Sequence, residues 1–205
     1  MAGKMSGMSG VTLRVFGDPV LREVADEVTN VDGALVQLTK EMAKAMYEAP
    51  GLGIAAPQVG VRKRLFVYDM NDGQGALTIV NPVIVESSGE WSYDEGCLSV
   101  PGLSWEIVRP RIIHLTGYDL DGREVSVEAT DLLGRLYQHE LDHLNGVLLL
   151  DHLPDDQRAE GMKVLRNRIL EHGSAHDPDR EIVRVAAEPL TKKRGLSLPG
   201  LPGLR

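Results

Sequence analysis

The chain has 205 residues, 42% hydrophobic and 25% charged, an ordinary balance for one globular domain with a real core. Its formal net charge of −8 argues against a large nucleic-acid face, and hence against direct DNA binding. No apolar run approaches the roughly 18 residues of a membrane helix, and the single cysteine, Cys97, excludes an intramolecular disulfide.

Residues 1–10, MAGKMSGMSG, read as a flexible lead-in; they lack an apolar signal segment, so a cytoplasmic location is expected. Apolar residues at Val31, Leu35, Leu38, Met42, Ala45 and Met46 predict an amphipathic helix that Pro50 and Gly51 end. GLGIAAPQVG, residues 51–60, is too rich in glycine and too interrupted by Pro57 to be helical. From Arg64 to about Thr130 short runs rich in β-branched residues predict strands: RLFVYDM, ALTIVNPVIVE, RIIHLTGYDL and REVSVEA. Asp121-Gly122 marks a hairpin between the last two, and Pro101 places DEGCLSVPG at a strand edge. Thr130 is the expected N-cap of a helix DLLGRLYQHELDHL, closed by Asn145-Gly146. A further helix is expected from Asp155 to Glu171, and residues 173–205 read as an extended or disordered tail. The predicted fold is α+β, with small antiparallel β-sheets packed around a central helix and a C-terminal helix following.

The central helix carries His139-Glu140-Leu141-Asp142-His143. Residues four apart lie one above the other, so both imidazoles can converge on one metal ion. Glu140 is then placed to take a proton from a water whose pKa the metal lowers toward about 7. A solvated helix face with incidental histidines is the bland alternative. Leu132 and Leu136 fall on the histidine stripe, which therefore faces the interior, where unpartnered histidines would be costly. The stripe also suggests an apolar pocket beside the metal, although plain core packing explains these leucines as well.

The third ligand separates the possible chemistries. A downstream H-x-x-G-x-x-H continuation holds as far as Gly146 but meets Leu149 where a histidine is required, and His152 is out of register. Glu160 and Glu171 are possible glutamate ligands, but lie on the basic outer helix. Cys97 upstream completes a thiolate and two imidazoles, leaving one open tetrahedral position. A Cys/His nucleophilic mechanism would leave Glu140 and the second histidine unused. GLGIAA also fits the dinucleotide pattern G-x-G-x-x-A, but a helix precedes it and Pro57 follows, the wrong context for phosphate.

Three segments together, GLGIAAPQ at 51–58, EGCLS at 95–99 and QHELDHL at 138–144, resemble the three motifs of peptide deformylase in their order and spacing. The likeness covers roughly residues 11–172, the expected catalytic domain, and includes the opening GDPVLREVADEV. It implies a hydrolase that removes the N-formyl group from the formyl-methionine of new polypeptides and releases formate. It also implies the metal ligands Cys97, His139 and His143, with Fe²⁺ the usual ion and Zn²⁺, Ni²⁺ or Co²⁺ as replacements. Glu140 would be the general acid–base, while the Gln58 amide and the Leu98 N–H would support the formyl oxygen. Gly53 would let backbone approach the substrate; Leu52, Tyr93, Leu132 and Leu136 would form the methionine pocket, with Arg135 at its rim. An HExxH metallopeptidase of other specificity and an inactive metal-binding interaction protein are the rival readings.

Two features depart from that frame. Some members place an arginine shortly after the cysteine motif to pair with its glutamate; here PGLSWEIV offers Ser104, and the nearest bases to serve Glu95 are Arg109 and Arg111. Charge is also uneven: residues 158–205 hold 10 Lys/Arg against 6 Asp/Glu, whereas residues 1–157 hold 12 against 24. Lys163, Arg166, Arg168, Lys192, Lys193 and Arg194 could meet ribosomal RNA, as bacterial relatives use a C-terminal helix to do.

Overall fold

A computed structural model describes residues 10–172; the expected tail, with Lys192, Lys193 and Arg194, lies outside them. In chain order the elements are α1 (Gly33–Glu48), β1 (Gly53–Ala55), β2 (Leu65–Tyr68), β3 (Leu77–Ser88), β4 (Trp91–Cys97), β5 (Val100–Arg109), β6 (Ile112–Tyr118), β7 (Glu124–Thr130), α2 (Asp131–Leu144) and α3 (Asp155–His172). β1-β2-β3-β6-β7 form one antiparallel sheet, and β4 and β5 a separate two-stranded hairpin.

The period of two in β2 shows how the sheet is held. Leu65 and Val67 join the core under α1 with Leu35, Met42 and Met46, whereas Phe66 faces α2 with Leu136, Tyr137 and Leu144. The sheet is therefore filled on both faces at β2, where each fully buried Leu, Met or Phe side chain contributes about 1.5–3 kcal/mol. A third cluster joins Val100 and Ile107 of the hairpin to Leu149, Leu150, Leu153 and Leu165, so α3 buttresses β5.

α2 spans the 14 residues expected of it, Asp131–Leu144, with Thr130 at the N-cap position. Gly146 follows with φ +72°, and a Cβ there would lie 2.6 Å from the Arg22 carbonyl oxygen, so glycine is required on two counts. GLGIAAPQVG is non-helical at its start as expected, but it supplies a short strand, β1, and a single 3-10 turn over Ala56–Val59. The β4–β5 hairpin is more regular than the strand edge foreseen for DEGCLSVPG; Pro101 occurs near the start of β5, where a missing N–H is tolerated.

Candidate metal centre

α2 presents His139 and His143 one turn apart toward the end of β4, where Cys97 breaks the hairpin register. The Cys97 Sγ is 3.2 Å from His143 Nε2, and the three candidate ligand atoms all lie within 4.8 Å of one another. Among the described residues no downstream His, Asp or Glu joins them. Leu149 is buried in the third core cluster, and His152 Nε2 pairs with Asp142 at 2.7 Å. One thiol and two imidazoles at this separation suit a borderline divalent ion, so the residues present fit a metal.

The ring of His139 is oriented from behind. Its Nδ1 meets Glu95 Oε2 at 3.1 Å, leaving Nε2 for a metal, the carboxylate–histidine–metal arrangement. Glu95 in turn is gripped by Arg109, whose Nε and Nη2 donate to its two oxygens at 2.7 and 3.0 Å. Burial would raise the Glu95 carboxyl, but hydrogen bonds from His139 and Arg109, and their charges, hold it well below the usual carboxylate range. The partner of Glu95 is thus Arg109, ten residues past the cysteine motif, joined by Arg135.

That second partner corrects one expectation. Arg135 is not at the rim of a pocket: it is 3% exposed, donates to Glu95, the Ile107 carbonyl and the Trp91 carbonyl, and lies 4.8 Å from the Trp91 ring centroid. A guanidinium with five donors satisfies such a cluster of acceptors, and burial follows from the pairing. Arg111, the other base near the motif, instead pairs with Asp131 at 2.8 Å.

Removing Arg109 tests this scaffold. Arg109→Met should cost about 3 kcal/mol of stability, the low end for one half of a buried ion pair, because Arg135 still covers one Glu95 oxygen. Metal affinity should fall about tenfold, as for other outer-shell losses. Urea unfolding of metal-free protein and chelator competition measure the two effects. No change in either would show Arg109 to be dispensable.

Glu140 is buried, and its Oε2 meets no hydrogen-bond partner among the described residues. Burial pushes its carboxyl up to about 7; Asp142 and Glu95 add to the rise while His139 and Arg109 oppose it. A Cβ on Gly53 would lie 2.4 Å from Glu140 Oε1, so the glycine makes room for this carboxylate. Gln58 is 1% exposed, with Nε2 3.9 Å from Cys97 Sγ. These groups open onto a cleft of about 700 Å³ that Leu52, Gly53, Tyr93, Leu98, Leu132, Arg135 and Leu136 also line. Leu136 is buried, whereas Tyr93 and Leu132 are 45% and 37% exposed at its mouth.

Sequence reasoning assigned no role to Glu95 behind His139 or to Ser99, and offered Arg109 only as one of the two bases near Glu95. Glu95 and Ser99 stand inside the EGCLS motif, which was the available signal; Arg109 had only its place as the nearest base.

Comparison with known proteins agrees with this geometry. The family model described as polypeptide deformylase matches residues 11–159. A peptide deformylase of Halothermothrix orenii is 44% identical over 144 residues, covering 70% of this chain and 94% of its own. The crystal structure of a Legionella pneumophila peptide deformylase superposes with a TM-score of 0.74 at 36% identity, covering 82% of this chain and 99% of that one. A Synechococcus elongatus peptide deformylase in complex with actinonin gives 0.72 at 40% identity, covering 78% and 88%. With its thiol, two imidazoles and buried glutamate assembled from the matched region, the chain belongs to the peptide deformylase family.

Proposed function

We propose a division of labour among the residues of the cleft for the family's reaction, the hydrolytic removal of the N-formyl group from newly made polypeptides. Cys97, His139 and His143 would hold one divalent ion, which when bound supplies Lewis-acid polarisation and acidifies water. Glu140 takes a proton from the attacking water and returns it to the leaving amine nitrogen, so water and the formamide give formate and a free N-terminus. Gln58 Nε2–H and the Leu98 N–H donate to the formyl oxygen as charge gathers there. Leu52, Tyr93, Leu132 and Leu136 enclose the methionine side chain, and the buried Arg135 lines the cleft from the α2 side. The observation that carries this reading is the Glu140 oxygen, without a partner among the described residues, in the cleft that Cys97 and His139 also line, with His143 clustered behind them.

The test compares formyl-Met-Ala with Met-Ala. Formate should appear only from the first, with the Met-Ala bond intact in both. Cleavage of the unformylated dipeptide would establish a peptidase instead.

The ligand set suits Zn²⁺, Ni²⁺ or Co²⁺, but the family likeness favours Fe²⁺, which metal analysis of oxygen-free preparations identifies. No helix among the described residues is long and apolar enough to cross a membrane, and work on nascent chains supports a cytoplasmic setting. Ribosome docking through α3 rests on Lys163 and Arg166, both exposed. Arg168 does not belong with them, because its guanidinium is turned inward onto the Pro101 carbonyl. Lys163→Glu with Arg166→Glu should cut co-sedimentation with ribosomes and leave dipeptide turnover unchanged; equal co-sedimentation would remove α3 from the contact.

A further inference from the structure

Gln58 is held at both ends of its amide. Oε1 accepts the Ala55 N–H at 2.8 Å, and Nε2 donates to the Ser99 hydroxyl at 3.2 Å. The two bonds do different things. A flipped amide would set NH₂ against the Ala55 N–H, donor on donor, so Ala55 decides which end of the amide is oxygen. One bond still leaves the amide free to turn about that axis, because the last torsion of a glutamine is broad. A second bond, to an acceptor in another part of the fold, fixes the plane. Ser99 supplies it.

Ser99 is suited to that task. It is fully buried, its own carbonyl accepts the Phe16 N–H at 2.7 Å, and its neighbour Val100 is anchored in the third core cluster. Its hydroxyl is thereby referenced to the N-terminal segment and the hairpin, whereas Gln58 belongs to the turn after β1. Nε2 carries two hydrogens. With one taken by Ser99, the other is directed to the cleft side, where it makes a long contact to Cys97 Sγ at 3.9 Å that a bound formyl oxygen would replace.

We propose that Ser99 is a positioning residue, whose hydroxyl fixes the Gln58 amide plane so that one N–H is presented to the formyl oxygen. The proposal rests on the reading that Gln58 donates to that oxygen. A buried hydroxyl with a merely structural role would weaken the fold whether or not residue 58 had an amide. A positioning role vanishes when the amide does.

The experiment is a double-mutant cycle on metal-loaded protein, with kcat expressed per bound metal. Gln58→Leu should lower kcat about 10²-fold, the cost of one oxyanion donor. Ser99→Ala should lower it about tenfold with KM unchanged, a loss of the size of one buried hydrogen bond. In the Gln58→Leu background the same Ser99→Ala change should alter kcat by less than about twofold. As a readout independent of turnover, the Gln58 side-chain amide ¹⁵N signals of metal-free protein should move toward the free-amide position in Ser99→Ala. Independent losses in the two backgrounds, or a Ser99→Ala protein with parental kcat and an unmoved Gln58 signal, would overturn the role of Ser99 alone. A Gln58→Leu protein with parental kcat would overturn the Gln58 reading, and this proposal with it.

Discussion

Glu140→Gln is expected to lower kcat by about 10²–10⁴, the usual worth of a positioned acid–base group, while the protein keeps its metal. The substitution is isosteric and touches none of the three clustered donors. An amide cannot accept a proton at any working pH, so water activation and leaving-group protonation both fail in one step. What remains is catalysis by the metal and the donors to the formyl oxygen, so the residue should still exceed the uncatalysed rate. The fold should not suffer. Glu140 Oε2 has no partner to lose among the described residues, and a neutral amide is cheaper to bury than a carboxylate. Metal-free Glu140→Gln should therefore melt no lower than metal-free parent. Single-turnover kinetics on formyl-Met-Ala with matched metal content measures the effect. A metal-replete variant within about tenfold of parental kcat would assign the proton transfers to another group.

Some of this was legible in the residues and some was not, for physical reasons. α2 could be read to its ends because three signals agreed: a stripe of apolar and ligating residues at helical spacing, Thr130 before it and Asn145-Gly146 after it. The three clustered donors were readable because metal-binding chemistry restricts residue type and spacing together. The β4–β5 hairpin was hidden: β4 is exposed at most positions and lacks the alternation of a half-buried strand, so period carried no signal. Arg135 was misplaced for a related reason. A charged residue on a helix is ordinarily solvent-facing, and here its burial depends on Glu95, 40 residues away along the chain. The bond from Gln58 to Ser99 spans 41 residues and likewise leaves no local trace. Long-range polar pairings are set by tertiary geometry alone, which is why a motif can name its members without assigning their tasks.

Cys97→Ala has the other large expected effect, and it separates the metal reading from a thiol nucleophile. Loss of a direct ligand should weaken metal binding by more than about 100-fold, beyond the 10–100-fold typical of an outer-shell partner. The remaining imidazoles lie on one helix face, and they lose both the negative charge of the thiolate and the cross-link from the hairpin to α2. Deformylation should then fall to the level of chelated parent protein. Stability provides an independent check, because a metal bound only by the folded state stabilises it, by about 2.7 kcal/mol at a hundredfold excess over Kd. Chelator should thus lower the melting temperature of the parent and leave that of Cys97→Ala nearly unchanged. A nucleophilic Cys97 would behave differently: activity would vanish, but the variant would retain its ion and its sensitivity to chelator. A metal-replete, inactive Cys97→Ala protein would therefore remove the thiol from the coordination sphere and make it the attacking group.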